Sequence, residues 1–133
     1  MNNITTFLTR WTPQMLGVLR IVVGFLFLLH GSATLIGIPN TGTNYSVEIF
    51  SLYGVAGILE LVGGIFITVG LFTRFVAFIL SGLMASAYFI AHFPKHFLPL
   101  LNGGELAALY CFLFLYFVFA GSGAFSIDRL RNK

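Results

Sequence analysis

Charge is what this chain has least of. Lys, Arg, Asp and Glu together make up 8% of its 133 residues, against roughly 25% in an average soluble domain. So few charges cannot cover a water-facing surface, which excludes an ordinary soluble fold. There is one cysteine, Cys111. A single thiol cannot open and close a disulfide, so intramembrane dithiol exchange with quinones is excluded for an isolated subunit, and Cys111 reads as a small packing residue. Also missing are a nicotinamide or flavin glycine fingerprint, a set of iron–sulfur cysteines and a metal-ligating cluster. Any electrons handled here must come from a partner.

Hydrophobic residues supply 58% of the chain, gathered in four stretches at about 16–36, 49–72, 75–93 and 104–120. Each meets the roughly 17 to 25 residues of a spanning helix, whereas barrel strands are half as long and alternate strictly. The expected fold is therefore all-α, a single membrane domain over 1–133. Short connections force sequential helices to run antiparallel, giving a four-transmembrane-helix up-down-up-down bundle. The polar segment Asn2 to Gln14 lacks a signal-cleavage pattern, so the first helix is expected to be retained. Arg10, Arg20, Arg74, Arg129, Arg131 and Lys133 fall on one side and only Lys95 on the other. The positive-inside rule then puts both termini in the cytoplasm, with loops Gly37 to Ser46 and Pro94 to Gly103 outside. On this reading the net charge of +3 reflects topology in a lipid bilayer, not nucleic-acid binding.

Glycines recur every seventh residue, at Gly17, Gly24 and Gly31 in the first span and at Gly57 and Gly64 in the second. Such seams let helix backbones approach closely where lipid removes the hydrophobic drive. Asn102-Gly103-Gly104-Glu105 has the form of a capping box opening the fourth span, with Asn102 as N-cap and Glu105 at the third helical position.

Glu60 stands in the middle of the second span, where an unpaired carboxylate costs several kcal/mol, so its presence marks a function. Depths from the helical rise put His30 about 6 Å outward of the midplane, Arg20 about 9 Å toward the cytoplasm, and His92 and Glu105 about 12 to 14 Å outward. Pairing of Glu60 with His30 or Arg20 would keep the carboxylate ionised. Ser81, Ala85, Tyr88 and His92 share one face of the third span. The expected site is an outward cleft with Glu60 as proton-handling residue at its base, and Arg20, His30, Tyr88, His92 and Glu105 as ligand-binding residues, with Glu48 near its mouth. Bis-imidazole haem needs two histidines at one depth, and the separation of about 6 Å between His30 and His92 argues against it.

Arg20 with Gly24 and His30-Gly31, Glu60 with Gly63-Gly64, Gly70-Leu71-Phe72-Thr73-Arg74, Asn102-Gly103-Gly104-Glu105 and the ending Gly121-Ser122-Gly123-Ala124-Phe125-Ser126-Ile127-Asp128 together resemble the DoxX family of small bacterial and archaeal membrane proteins. The resemblance implies a four-helix inner-membrane protein set in redox chemistry, with quinone as the candidate cofactor and a separate redox partner protein. Many members carry a basic residue where this chain has Thr34, so the resemblance does not extend to an anionic site for thiosulfate. Two other roles compete: a non-catalytic anchor or assembly subunit of a redox complex, and a small proton-coupled permease, for which four spans would call for a homo-oligomer.

Overall fold

The computed structural model describes residues 2–42 and 47–133; Ser46 of the first expected outer loop lies outside them. The described residues are helical, with no strand among them. In chain order the elements are α1 (Asn3–Arg10), α2 (Thr12–Ile36), α3 (Leu52–Val69), α4 (Thr73–Ala87, continued by a π-helical turn, Tyr88–His92), α5 (Pro99–Asn102), α6 (Glu105–Ala120) and α7 (Ile127–Arg131). Thr12–Ile36, Leu52–Val69 and Thr73–His92 are long and apolar enough to cross a membrane. The apolar helix α6 has 16 residues, short of the roughly 20 that span hydrocarbon without help. No helix is expected over Asn2–Gln14, yet α1 fills most of it.

Local chemistry sets the boundaries. Pro13 sits in the first turn of α2, where its missing N–H costs nothing. That helix stops at Gly37, in the left-handed conformation at φ 68°. Ser51 caps α3 by accepting from Gly54 N–H at 3.1 Å. The expected capping box at Asn102 does not form. Glu105 is the first helical residue of α6, preceded by Gly104 with no side-chain cap, because Gly103 at φ 73° already closes α5. Asn102 Oδ1 instead accepts from Gly104 N–H at 2.7 Å within that turn.

Helix α2 packs chiefly on α3, and α4 chiefly on α6. Both pairs run antiparallel: a Cβ on Gly24 would lie 2.6 Å from the Thr68 backbone nitrogen and one on Gly31 would strike Leu61 N and Gly57 O, while Arg74 and Ser81 of α4 donate to Val118 O and Cys111 O of α6. At Gly24, Gly31 and Gly64 the glycine seam read from the sequence is a contact with the partner helix's backbone, whereas Gly57 faces the Thr34 and Leu35 side chains and Gly17 the Ala124 backbone of the terminal loop. Between the pairs lies an aromatic core: Phe27 of α2 meets Tyr110 and Phe114 of α6 at 5.3 and 4.9 Å between ring centroids. Val23, Ile67, Leu80, Met84 and Phe117 complete it. Outward-facing rings such as Phe78, Phe112 and Phe119 are exposed, as suits a lipid-facing surface.

Gly82 of α4 is the counter-example among the helical glycines, since a Cβ there meets nothing within 4 Å. Gly82→Ala should therefore stabilise the protein by about 0.5 to 1 kcal/mol by removing helix-interior glycine entropy. Thermal unfolding in detergent with native lipid tests this, and a lower melting temperature would contradict it.

Candidate functional site

Three polar centres occur at three levels of the bundle, and they differ in how completely the protein satisfies them. The first lies at the end carrying Trp11 and residues 121–131, the terminal end. Arg20 is fully buried there. Its Nε donates to Ser122 O (2.8 Å), Nη1 to Ile67 O (2.8 Å) and Thr68 O (2.5 Å), and Nη2 to Ala124 O (3.1 Å) and Phe125 O (2.7 Å). All five N–H donors of the guanidinium are used. Two of the acceptors are last-turn carbonyls of α3, where the helix dipole is negative, and the others belong to the Gly121–Ser126 loop. The expected pairing of Arg20 with Glu60 is replaced by this carbonyl cradle. Arg74 repeats the device, donating to Val118 O and Phe119 O at the end of α6, both at 2.9 Å.

The same loop is tied further. Ala124 N–H donates to Pro13 O at 2.9 Å, and the Asp128 carboxylate accepts from Phe72 N–H (2.8 Å) and Thr73 N–H (2.9 Å), capping α4. Burial works to raise the Asp128 carboxyl, but the Thr73 and Phe72 donors and the charge of Arg131 bring it below its ordinary value. A depressed carboxylate contributes stability above its unfolded pKa and loses it as pH falls through the folded one. Asp128→Asn should therefore cost about 1 kcal/mol at neutral pH, with the gap to wild type closing in acid below about pH 4. Melting temperatures of both proteins across pH check this. A gap that persists in acid would mean that the carboxylate charge is not what matters.

The second centre is at the opposite, loop end. Asn102 is buried and donates to Tyr88 Oη at 3.1 Å and His96 O at 2.8 Å. Tyr88 Oη donates to Phe97 O at 3.0 Å, and His92 Nδ1 lies 3.2 Å from Asn102 O. Tyr88 and His92 thus come together, as their shared face predicts, on a π-helical turn beside Asn102. Glu105 and Glu48 are exposed and do not join them.

The third centre is between these levels. Antiparallel packing of Gly31 against Leu61 and Gly57 sets His30 level with Glu60. Glu60 shares the buried face of Gly63, Gly64 and Ile67 and is itself half-buried. It interacts electrostatically with Tyr110 of α6. The exposed His30 ring stands edge-on to the Tyr110 ring at 6.2 Å. Among the described residues, the Glu60 carboxylate, the Tyr110 hydroxyl and the His30 ring have no hydrogen-bond partner. An acid, a phenol and an imidazole from three helices therefore border one region with their polar capacity unspent. Tyr110 is not among the residues expected at the site, although the same depth arithmetic puts it about 3 Å from the midplane, beside Glu60.

The DoxX family model matches residues 15–93, which carry α2, α3, α4 and the π-helical turn. The chain belongs to the DoxX family. A Haemophilus influenzae protein described as uncharacterized is 50% identical to this DoxX chain over 134 residues, covering 97% of this chain and 96% of its own length. No solved structure matches it. Arg20, His30, Glu60, Tyr88 and His92 fall within the family match, whereas Tyr110 and the loop that cradles Arg20 lie beyond it.

Proposed function

We propose that this DoxX protein is the quinone-handling membrane subunit of an oxidoreductase in the bacterial inner membrane. Its four apolar helices cross the bilayer up-down-up-down, and the terminal end, rich in arginine, faces the cytoplasm. A quinone headgroup reaches the Glu60–His30–Tyr110 centre from the lipid side, past the exposed His30 ring. Reducing a quinone to a quinol takes two electrons and two protons; a partner protein supplies the electrons. Glu60 delivers protons, while His30 and Tyr110 donate hydrogen bonds to the carbonyl oxygens.

One observation carries this reading: Arg20 has five carbonyl acceptors, whereas Glu60 has no protein hydrogen-bond or ion-pair partner among the described residues. A carboxylate meant only to pin helices would be given partners in the same way. The test is to purify the protein with native lipid and extract bound quinone. Wild type should carry quinone, and Glu60→Gln should lower turnover of the reconstituted complex by 100-fold or so, within the range of a lost general acid. Tyr110→Phe should act less strongly. The anchor or assembly reading is favoured by the Arg20 cradle, and it predicts no bound quinone and unchanged turnover in Glu60→Gln.

A further inference from the structure

The terminal end has a second feature, independent of the quinone reading. Helix α1 presents Ile4, Phe7, Leu8 and Trp11 at helical spacing, exposed by 49 to 72%. This apolar face runs directly into the exposed Met15, Val18 and Val22 of the membrane-crossing α2. Between the α1–α2 elbow and α7 opens a cleft of about 610 Å³, lined by Trp11, Gln14, Phe125, Arg129, Leu130 and Lys133 among others. Among the described residues the Arg129 and Lys133 side chains have no partner, and Gln14 Oε1 is buried without one. Arg131 is turned away onto the Phe72 ring, 4.7 Å from its centroid, and the acid nearby, Asp128, is turned onto the amides of α4.

We infer that this cleft binds one anionic phospholipid of the phosphatidylglycerol class. Arg129 and Lys133 hold the phosphodiester, Gln14 Oε1 accepts from a glycerol hydroxyl, and the acyl chains leave past Trp11 along α1 and α2. Three observations select lipid: the cleft is mostly apolar inside, cationic at its rim, and continuous with a surface that already faces hydrocarbon. Each basic residue near a membrane surface contributes about 1 kcal/mol toward anionic lipid, roughly fivefold, so the pair gives a preference of roughly thirtyfold over a zwitterionic lipid.

Trp11 is the one tryptophan of the chain and lines the cleft, so its fluorescence reports occupancy without a label. The full-length protein is placed in phosphatidylcholine nanodiscs containing small amounts of phosphatidylglycerol, or of phosphatidylcholine, brominated close to the glycerol backbone. The expected result is half-maximal quenching by the brominated phosphatidylglycerol at a mole fraction at least tenfold lower than for the brominated phosphatidylcholine. In Arg129→Gln/Lys133→Gln, whose altered side chains are exposed and leave the melting temperature in place, the two lipids should quench alike. Equal quenching by both lipids in wild type means annular contact only and overturns the inference. An undiminished preference in the double variant also overturns it, as does relief of quenching by excess inorganic phosphate, which would mark a free-anion site.

Discussion

Replacing Arg20 with methionine should lower stability by about 4 kcal/mol, the cost of stripping a buried charged group from partners that cannot follow it. The methionine introduced is close to arginine in length and volume, so the loss reports hydrogen bonds and not a cavity. Five carbonyls lose their donor together: two at the end of α3 and three in the loop that ties α7 to the bundle. Arg20→Lys retains the charge but offers three donors from a single nitrogen, which cannot reach acceptors spread around a planar fork. It should recover about half of the loss. Melting temperatures in native-lipid detergent should fall by more than about 10 °C for methionine. Limited proteolysis should then cut within residues 121–131. A methionine variant that melts with wild type and keeps this segment protected would show that the cradle does not hold the terminal end together.

Gly31→Ala should be nearly as costly, about 3 kcal/mol, although it adds a single methyl group. The new Cβ would strike Leu61 N and Gly57 O, which are backbone atoms of α3 and cannot turn aside. The helices must therefore separate, giving up dispersion contacts along the whole seam, within the upper range for overpacking a close-fitted interior. Gly57→Ala is the internal comparison. Its Cβ meets the Thr34 and Leu35 side chains at 3.1 to 3.2 Å, and these can rotate, so it should cost distinctly less. Because Gly31 sets the level of His30 against Glu60, Gly31→Ala should also weaken bound-quinone retention at temperatures where the variant is still folded. Equal melting temperatures for the two variants would show that the seam is looser than its geometry.

Apolar run length and glycine spacing made the long helices and the α2–α3 seam legible, because both follow from local rules of span and close approach. Glu60 stood out for the same reason, as a single expensive group in a uniform background. What escaped the sequence was partner choice. Arg20 was expected to answer Glu60 because opposite charges attract, yet backbone carbonyls at a helix end and in a glycine-rich loop satisfy a guanidinium equally well. Carbonyls carry no residue-type signature. Tyr110 was hidden among the phenylalanines of α6, where its ring fits the core and only its hydroxyl differs. The capping box failed because Gly103 turns the chain before Asn102 can cap α6. Helix α1 was overlooked because its eight residues are too few to span a membrane, although Ile4, Phe7 and Leu8 already stand at helical spacing.

The cradle of Arg20 also dictates when the molecule can be finished. Arg20 precedes Ser122, Ala124 and Phe125 in the chain by more than a hundred residues. Until these are added the guanidinium has only the Ile67 and Thr68 carbonyls of α3. The cradle is therefore complete only once the segment 122–125 has been added. A chain truncated before residue 121 should accordingly keep only the Ile67 and Thr68 carbonyls of the five.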